Sequence, residues 1–281
     1  MNKFLLVSSL IVMTTSLFAS DNNLSSYYPV EYREQLETGR FRDNYLKDIL
    51  FDILSKVHVK RENGADELQQ YCPNRADCYR HVELGYREAR RYLFGQIHLK
   101  SDEYGFYVKD VYCHKDFRNG VGEMKIPNPN KINCEHTWPQ SKFSRSFSRS
   151  LQKSDLHHLY PTDNKANSAR GNFPFADVNG VPATWNCEIS RVGTPLQIRR
   201  RSEHFEPPTE HKGNVARAIF YFAVRYKMKV TPGQEMYLRE WHKNDPVDAE
   251  EMRRNNIIHE VQGNRNPFID MPNLVDSISD F

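Results

Sequence analysis

Two short segments carry residue types suited to phosphate chemistry. The first is Asn133-Cys134-Glu135-His136-Thr137-Trp138-Pro139-Gln140-Ser141. The second is Asp155-Leu156-His157-His158-Leu159-Tyr160-Pro161, followed by Asn164-Lys165-Ala166-Asn167-Ser168-Ala169-Arg170-Gly171-Asn172. Hydrolysis of a phosphodiester needs a hard cation to neutralise the phosphate and the leaving oxygen. It needs a base to take a proton from water, and a donor for the charge that develops on phosphorus. Glu135 and Asn167 offer oxygen ligands that suit magnesium, manganese or calcium better than zinc. His136 offers an imidazole that titrates near neutral pH.

These residues need elements to bring them together. Ile132 to Thr137 reads as a short strand stopped by Pro139, and Asp155 to Tyr160 as a second strand ended by Pro161. Thr162 or Asp163 is a suitable N-cap, so a helix is predicted from Asn164 to about Ala169, with Gly171 ending it. The order is strand, loop, strand, helix. One geometric difficulty stands out. Successive strand residues point to opposite faces, so Glu135 and His136 reach one site only if the strand ends or bends there. His157 and His158 meet the same difficulty, and the bland reading, packing rather than metal binding, is preferred for both.

Beyond the two segments, Val30 to Val59 has helical periodicity, with Tyr45, Ile49, Leu50 and Ile53 on one face. Glu83 to Leu99, Asn214 to Tyr226, Gln234 to His242 and Ala249 to Glu260 are further helix candidates. Tyr104 to Cys113 is strand-like, and Met124 to Asn133 is a loop. Arg145 to Arg149, Arg-Ser-Phe-Ser-Arg, reads as a basic loop that is mobile or faces phosphate. Trp138 and Phe143 are expected in the core, and Arg217 in a structural role. No repeat or interdomain linker appears.

The 281 residues are 38% hydrophobic and 12% aromatic, which excludes a wholly disordered chain. The formal charge of +3 permits an anionic partner without demanding one. The one long apolar run lies at the N-terminus, which excludes a polytopic membrane protein. Residues 1–20 read as a secretory signal peptide: Lys3 precedes apolar Phe4 to Met13, and small residues lead to Ala19 and Ser20. Leu17 is large for a position three residues before that cut, and an uncleaved anchor is the rival reading. Export permits disulfides. Cys72 and Cys78 can close a short loop, Cys113 and Cys134 can staple the segments around a turn-rich insert, and Cys187 is then left over.

In combination, Glu135-His136-Thr137-Trp138-Pro139, Asp155 to Pro161 and Asn167-x-x-Arg170 resemble the bacterial endonuclease I family of periplasmic and secreted nucleases. Further blocks, including Asp110-Val111-Tyr112-Cys113, Lys212 to Arg217 and Gln262 to Phe268, are similar to that family, from about residue 30 to the C-terminus. The resemblance implies a ββα-metal motif, His136 as general base, Glu135 and Asn167 as magnesium ligands, and products with 5′-phosphate ends. It also implies an arginine near the scissile phosphate between the two motifs. Arg149 is the first choice and Arg145 the competitor. Some members carry an acid just before the second motif; here Lys153 lies in that neighbourhood, and no second acid is assigned.

The expectation is an α+β fold: one mostly helical domain over residues 21–281 around a small antiparallel sheet. The function expected is metal-dependent cleavage of DNA, with RNA as a further substrate, in the periplasm or outside the cell. It would act as a monomer with no membrane contact after signal removal. Arg170, Arg199, Arg200 and Arg201 are candidates for nucleic-acid contact, with Arg170 better suited to holding the helix end or a backbone carbonyl than to catalysis. The rivals are a phosphodiesterase acting on another diester and a non-catalytic DNA-binding module.

Overall fold

The structure is a computed structural model that describes residues 25–62, 64–72, 76–198 and 202–281. Residues 1–20, and with them the signal peptide, lie outside the described residues, as do Arg199, Arg200 and Arg201. In chain order the elements are α1 (Val30–Glu37), α2 (Asp43–Ser55), β1 (Val57–Val59), β2 (Glu67–Gln69), β3 (Cys78–Tyr79) and α3 (Tyr86–Tyr92). A π-helical turn (Leu93–Ile97) leads to β4 (Leu99–Asp102), β5 (Gly105–Lys109), β6 (Asp116–Phe117), β7 (Ile132–His136) and α4 (Arg149–Ser154). Then come β8 (Leu159–Asp163), α5 (Asn164–Arg170), β9 (Val178–Thr184), β10 (Cys187–Pro195) and β11 (His204–Glu206). The chain closes with α6 (Lys212–Arg225), α7 (Pro232–Asn244), α8 (Ala249–Gln262) and α9 (Pro267–Asp270).

The fold class is α+β, as expected, but among the described residues the strands are divided into four small antiparallel sheets. Their orders are β2-β1-β3, β4-β5-β6, β7-β8 and β11-β10-β9. The helix α6 is buried nearly all round, through Val215, Ala216, Ile219, Phe220, Phe222 and Ala223. A helix buried on every side belongs in a core. It forms the centre of the larger apolar cluster, where Trp138 stacks on Phe222 with centroids 5.2 Å apart. A smaller cluster of Leu93, Phe94, Ile97, Ile132, Leu156, Leu159 and Ile258 supports the other face of β7 and β8. The strand pair therefore sits between two apolar bodies, which fixes its orientation.

Several sequence expectations need correction. The stretch Val30 to Val59 is two helices and a strand, interrupted at Gly39, whose φ of 63° lies in the left-handed region. Tyr45 is 60% exposed, while Ile49, Leu50 and Ile53 are buried as expected. Asp155 to Tyr160 is not a continuous strand. The Asp155 carboxylate accepts from His157 N at 3.1 Å and opens a 3-10 turn over Leu156–His158, after which β8 begins. Pro161 lies within β8 rather than ending it. It faces Cys134, and its own carbonyl turns outward to accept from Val111 N at 2.9 Å. At such a position no ladder hydrogen bond to β7 is lost. Arg145 to Arg149 is a turn that runs into α4, capped by the Ser148 hydroxyl, which accepts from Leu151 N. The disulfides are Cys72–Cys78 and Cys113–Cys187. Cys134, not Cys187, is the free cysteine, because its strand position turns it into the smaller core.

Candidate active site

The ladder register places Glu135 opposite Tyr160 and His136 opposite Leu159, so the two side chains do leave β7 on opposite faces. They reach one site without a bend because the cleft runs along the free edge of the strand. Among the described residues β7 pairs only with β8. Its outer edge opens into a cavity of about 300 Å³ whose lining includes Tyr86, Glu135, His136, Gln140, Asn167 and Asn172. Side chains from both faces flank an edge, whereas they could not share the face of a wider sheet.

The helix α5 supplies the third residue, and its start and stop are local chemistry. Asp163 Oδ1 accepts from Lys165 N at 2.9 Å and from Ala166 N at 3.1 Å, which satisfies two orphan donors of the first turn. Gly171 takes a φ of 54° at the other end. Between them Asn167 Nδ2 donates to the outward carbonyl of Cys134 at 3.4 Å, which leaves Oδ1 as the end available to a cation.

Glu135 is 2% exposed. Its Oε1 lies 3.0 Å from Arg170 Nη1, yet receives no hydrogen bond of good geometry. The buried Tyr112 hydroxyl faces the same carboxylate, also outside good hydrogen-bond geometry. Burial pushes the Glu135 carboxyl above its ordinary range, and the Arg170 guanidinium partly offsets this. A buried carboxylate oxygen without a hydrogen bond, and an amide that lines the same cleft, are donors suited to a hard divalent cation, so the residues present fit one.

His136 is held by its Nε2, which donates to the Lys153 carbonyl at 3.2 Å. A carbonyl can only accept, so the proton resides on Nε2 and the lone pair on Nδ1. Gln140 Nε2 is 3.4 Å from that Nδ1 and, among the described residues, is the one side chain donating to it. Burial holds the ring well below its usual pKa, with His158 adding to the effect and the hydrogen bond to the Lys153 carbonyl partly offsetting it. The imidazole is therefore neutral and basic at Nδ1 across the neutral pH range.

The arginines divide sharply. Arg170 is 2% exposed and faces inward. It donates to the carbonyls of His136 at 3.1 Å and Thr137 at 2.6 Å, and so it holds the end of β7 rather than the open side of the cleft. Arg149 is exposed, donates to the Gln140 carbonyl at 3.2 Å and lies 5.6 Å from the Phe143 ring, at the cleft rim. Arg145 is exposed on the turn before α4. Arg217 is fully buried and paired with Glu251. His157 and His158 are both buried and donate to the carbonyls of Asn264 at 3.1 Å and Gln152 at 2.8 Å.

Sequence reasoning missed Tyr86, Gln140 and the main chain of Lys153. Tyr86 lies 5.5 Å from the His136 ring, with Lys153 Nζ 4.3 Å from its own centroid. It is remote in sequence and carried no signal. Gln140 was within the first motif, four residues after His136, and its spacing could have drawn attention to it. Asp110 was also passed over as a residue. Its carboxylate accepts from the backbone N–H groups of Tyr112, Cys113, Lys115 and Asp163, and so places Tyr112 behind Glu135.

Comparison with known proteins finds relatives among secreted and periplasmic nucleases. An extracellular ribonuclease of Bacillus subtilis (strain 168) is 37% identical over 164 residues, 52% of this chain and 53% of the relative. An extracellular deoxyribonuclease of Aeromonas hydrophila is 28% identical over 142 residues, 50% of this chain and 59% of the relative. Endonuclease-1 of Buchnera aphidicola subsp. Baizongia pistaciae (strain Bp) is 30% identical over 156 residues, 50% of this chain and 62% of the relative. The chain thus spans between half and two thirds of the length of these curated relatives. The Endonuclease I family model matches residues 46–273, a span that contains every element flanking the cleft, and on that match the chain belongs to the Endonuclease I family.

Proposed function

We propose that this chain is an exported, metal-dependent endonuclease that hydrolyses phosphodiester bonds in DNA, and in RNA as well, with little regard to base sequence. The observation that carries the reading is the fixed tautomer of His136, which leaves Nδ1 unprotonated on a ring that lines the same cleft as Glu135 and Asn167, with Gln140 Nε2 3.4 Å away where a water would take its place. Relatives named as ribonuclease and as deoxyribonuclease support a nucleic-acid substrate. The relatives' names, extracellular and periplasmic, support export. No helix among the described residues is long and apolar enough to cross a membrane.

Nδ1 of His136 takes a proton from water, and the water oxygen attacks phosphorus in line with the departing 3′ oxygen. The Lys153 carbonyl keeps the ring in the right tautomer and steadies the imidazolium as it forms. Glu135 and Asn167 would hold magnesium, or manganese or calcium in its place, and such a cation would supply positive charge for the phosphate and the leaving oxygen. Arg149, tethered to Gln140 at the rim, steadies the phosphate, with Arg145 as the second candidate. The products carry 5′-phosphate ends, and the protein acts as a monomer.

The test is nicking of supercoiled plasmid by the folded, disulfide-intact protein with magnesium, with chelator, and with His136→Ala. Expected are loss of cleavage in chelator and a fall of about 10²–10⁴ in the variant. Wild type that cleaves neither DNA nor RNA overturns the proposal. Cleavage of a small diester alone would reassign the substrate.

A further inference from the structure

The three tryptophans occupy opposite environments: Trp138 and Trp241 are 7% and 2% exposed, and Trp185 is 81% exposed. Trp185 and Asn186 form the two-residue connection between β9 and β10. That tip is held firmly. Thr184 pairs with Cys187 in the ladder, Thr184 Oγ1 donates to Asn186 Oδ1 at 3.0 Å, and Cys187 is disulfide-bonded to Cys113. The ring is therefore displayed on a braced support without packing of its own. Beside it lies one cation, Lys165 Nζ, 6.0 Å from the ring centroid. Lys165 belongs to α5, which packs on β9 and β10 and carries Asn167 into the cleft. Lys165 and Ser168 leave the solvent face of α5 exposed between ring and cleft.

We infer that Trp185 is a stacking platform for one unpaired base of a single-stranded nucleic acid whose backbone crosses α5 into the cleft, with Lys165 on the intervening phosphate. The inference rests on the nuclease reading above. A flat, exposed aromatic next to a lysine matches the alternation of base and phosphate, and every base has a face to offer it. Duplex bases are already stacked, so the platform selects single strands. Lys165 and Asn167 are two residues apart and so lie on opposite flanks of α5. The helix is about 10–12 Å wide, a span that a few nucleotides of extended single strand cover. The stacked base therefore lies a few nucleotides from the bond that is cut.

The test uses tryptophan emission, since the other two tryptophans are shielded. Titrating the non-cleaving His136→Ala protein with oligothymidylate should quench the emission, and adding Trp185→Ala to it should abolish the quenching. In the cleaving protein, Trp185→Ala should raise KM for a single-stranded 12-mer about tenfold, by more than kcat falls. The effect should shrink as the strand is shortened and be small on duplex. Trp185→Tyr should restore most of the affinity. Quenching that survives in Trp185→Ala, or an unchanged KM, overturns the inference. So does an emission shift with phosphatidylglycerol vesicles and none with oligonucleotide, which would make the tip a membrane contact. Failure of the wild type to cut any nucleic acid strikes the nuclease reading instead and is seen separately from the binding signal.

Discussion

Arg170 ties the cleft together. It neutralises Glu135, donates to the carbonyls of His136 and Thr137, and lays its guanidinium 4.5 Å from the Phe175 centroid. A lysine has neither the planar fork nor the reach for all four contacts. Arg170→Lys keeps the charge but loses the fork, and should cost about 1–3 kcal/mol for the buried acceptors left unpaired. Urea unfolding measures that loss, and magnesium titration of the remaining activity would show weakened cation binding. Cys134, two residues before His136, is an inert neighbour. Burial pushes its thiol up to about 12. Thiol titration should therefore find no reactive group in the native protein and one on denaturation with the disulfides intact.

Among the elements, α5 was readable from end to end because its cap and its terminator are local. Asp163 and Gly171 act within a few residues of the helix they bound, and the observed span Asn164–Arg170 is one residue longer than expected. The start of β8 was not readable, because a turn organised by Asp155 depends on distant residues that hold the same carboxylate. Tyr221 and Tyr226 each donate to its Oδ2 at 2.8 Å, and Gln262 donates to its Oδ1 at 2.9 Å. The π-helical turn after α3 shows the same dependence. A Cβ on Gly95 would stand 2.3 Å from the backbone nitrogen of Met124, whose N–H donates to the Gly95 carbonyl at 3.1 Å. Gly95→Ala must push two backbones apart, so it should destabilise the protein by about 1–3 kcal/mol, read as a lower Tm.

For the molecule as a whole, stability should depend on pH through its buried histidines. Burial lowers His81 and His158 to about 4, and His157 and His211 to about 3. All four are neutral in the folded state, while the unfolded chain protonates them near 6.5. Between these values the unfolded state binds more protons, so stability is full above about pH 6.5 and falls as pH drops. Asp155, held below its ordinary range despite its burial while its carboxylate accepts from Gln262, Tyr221 and Tyr226, adds a further loss below the usual carboxylate pKa. Calorimetry from pH 7.5 to 5 should show a steadily falling Tm, with a slope of up to about 1.4 kcal/mol per pH unit for each histidine. A flat profile would mean that these rings are accessible to water.

The α+β class, the family resemblance, the helix α5 and the pairing of Glu135 and His136 with Asn167 were all legible in the chain. They depend on residue types at fixed short spacing, on caps and on periodicity. Three matters depended on the tertiary structure. The free edge of β7 lets two adjacent residues share one cleft. The Lys153 carbonyl settles which nitrogen of His136 carries the proton. The partner of Cys113 is Cys187, because packing sets β10 beside the loop after β5 while β7 turns Cys134 into the core. Each is a relation between segments distant along the chain, and their approach follows from how the apolar faces pack around α6 rather than from any local preference.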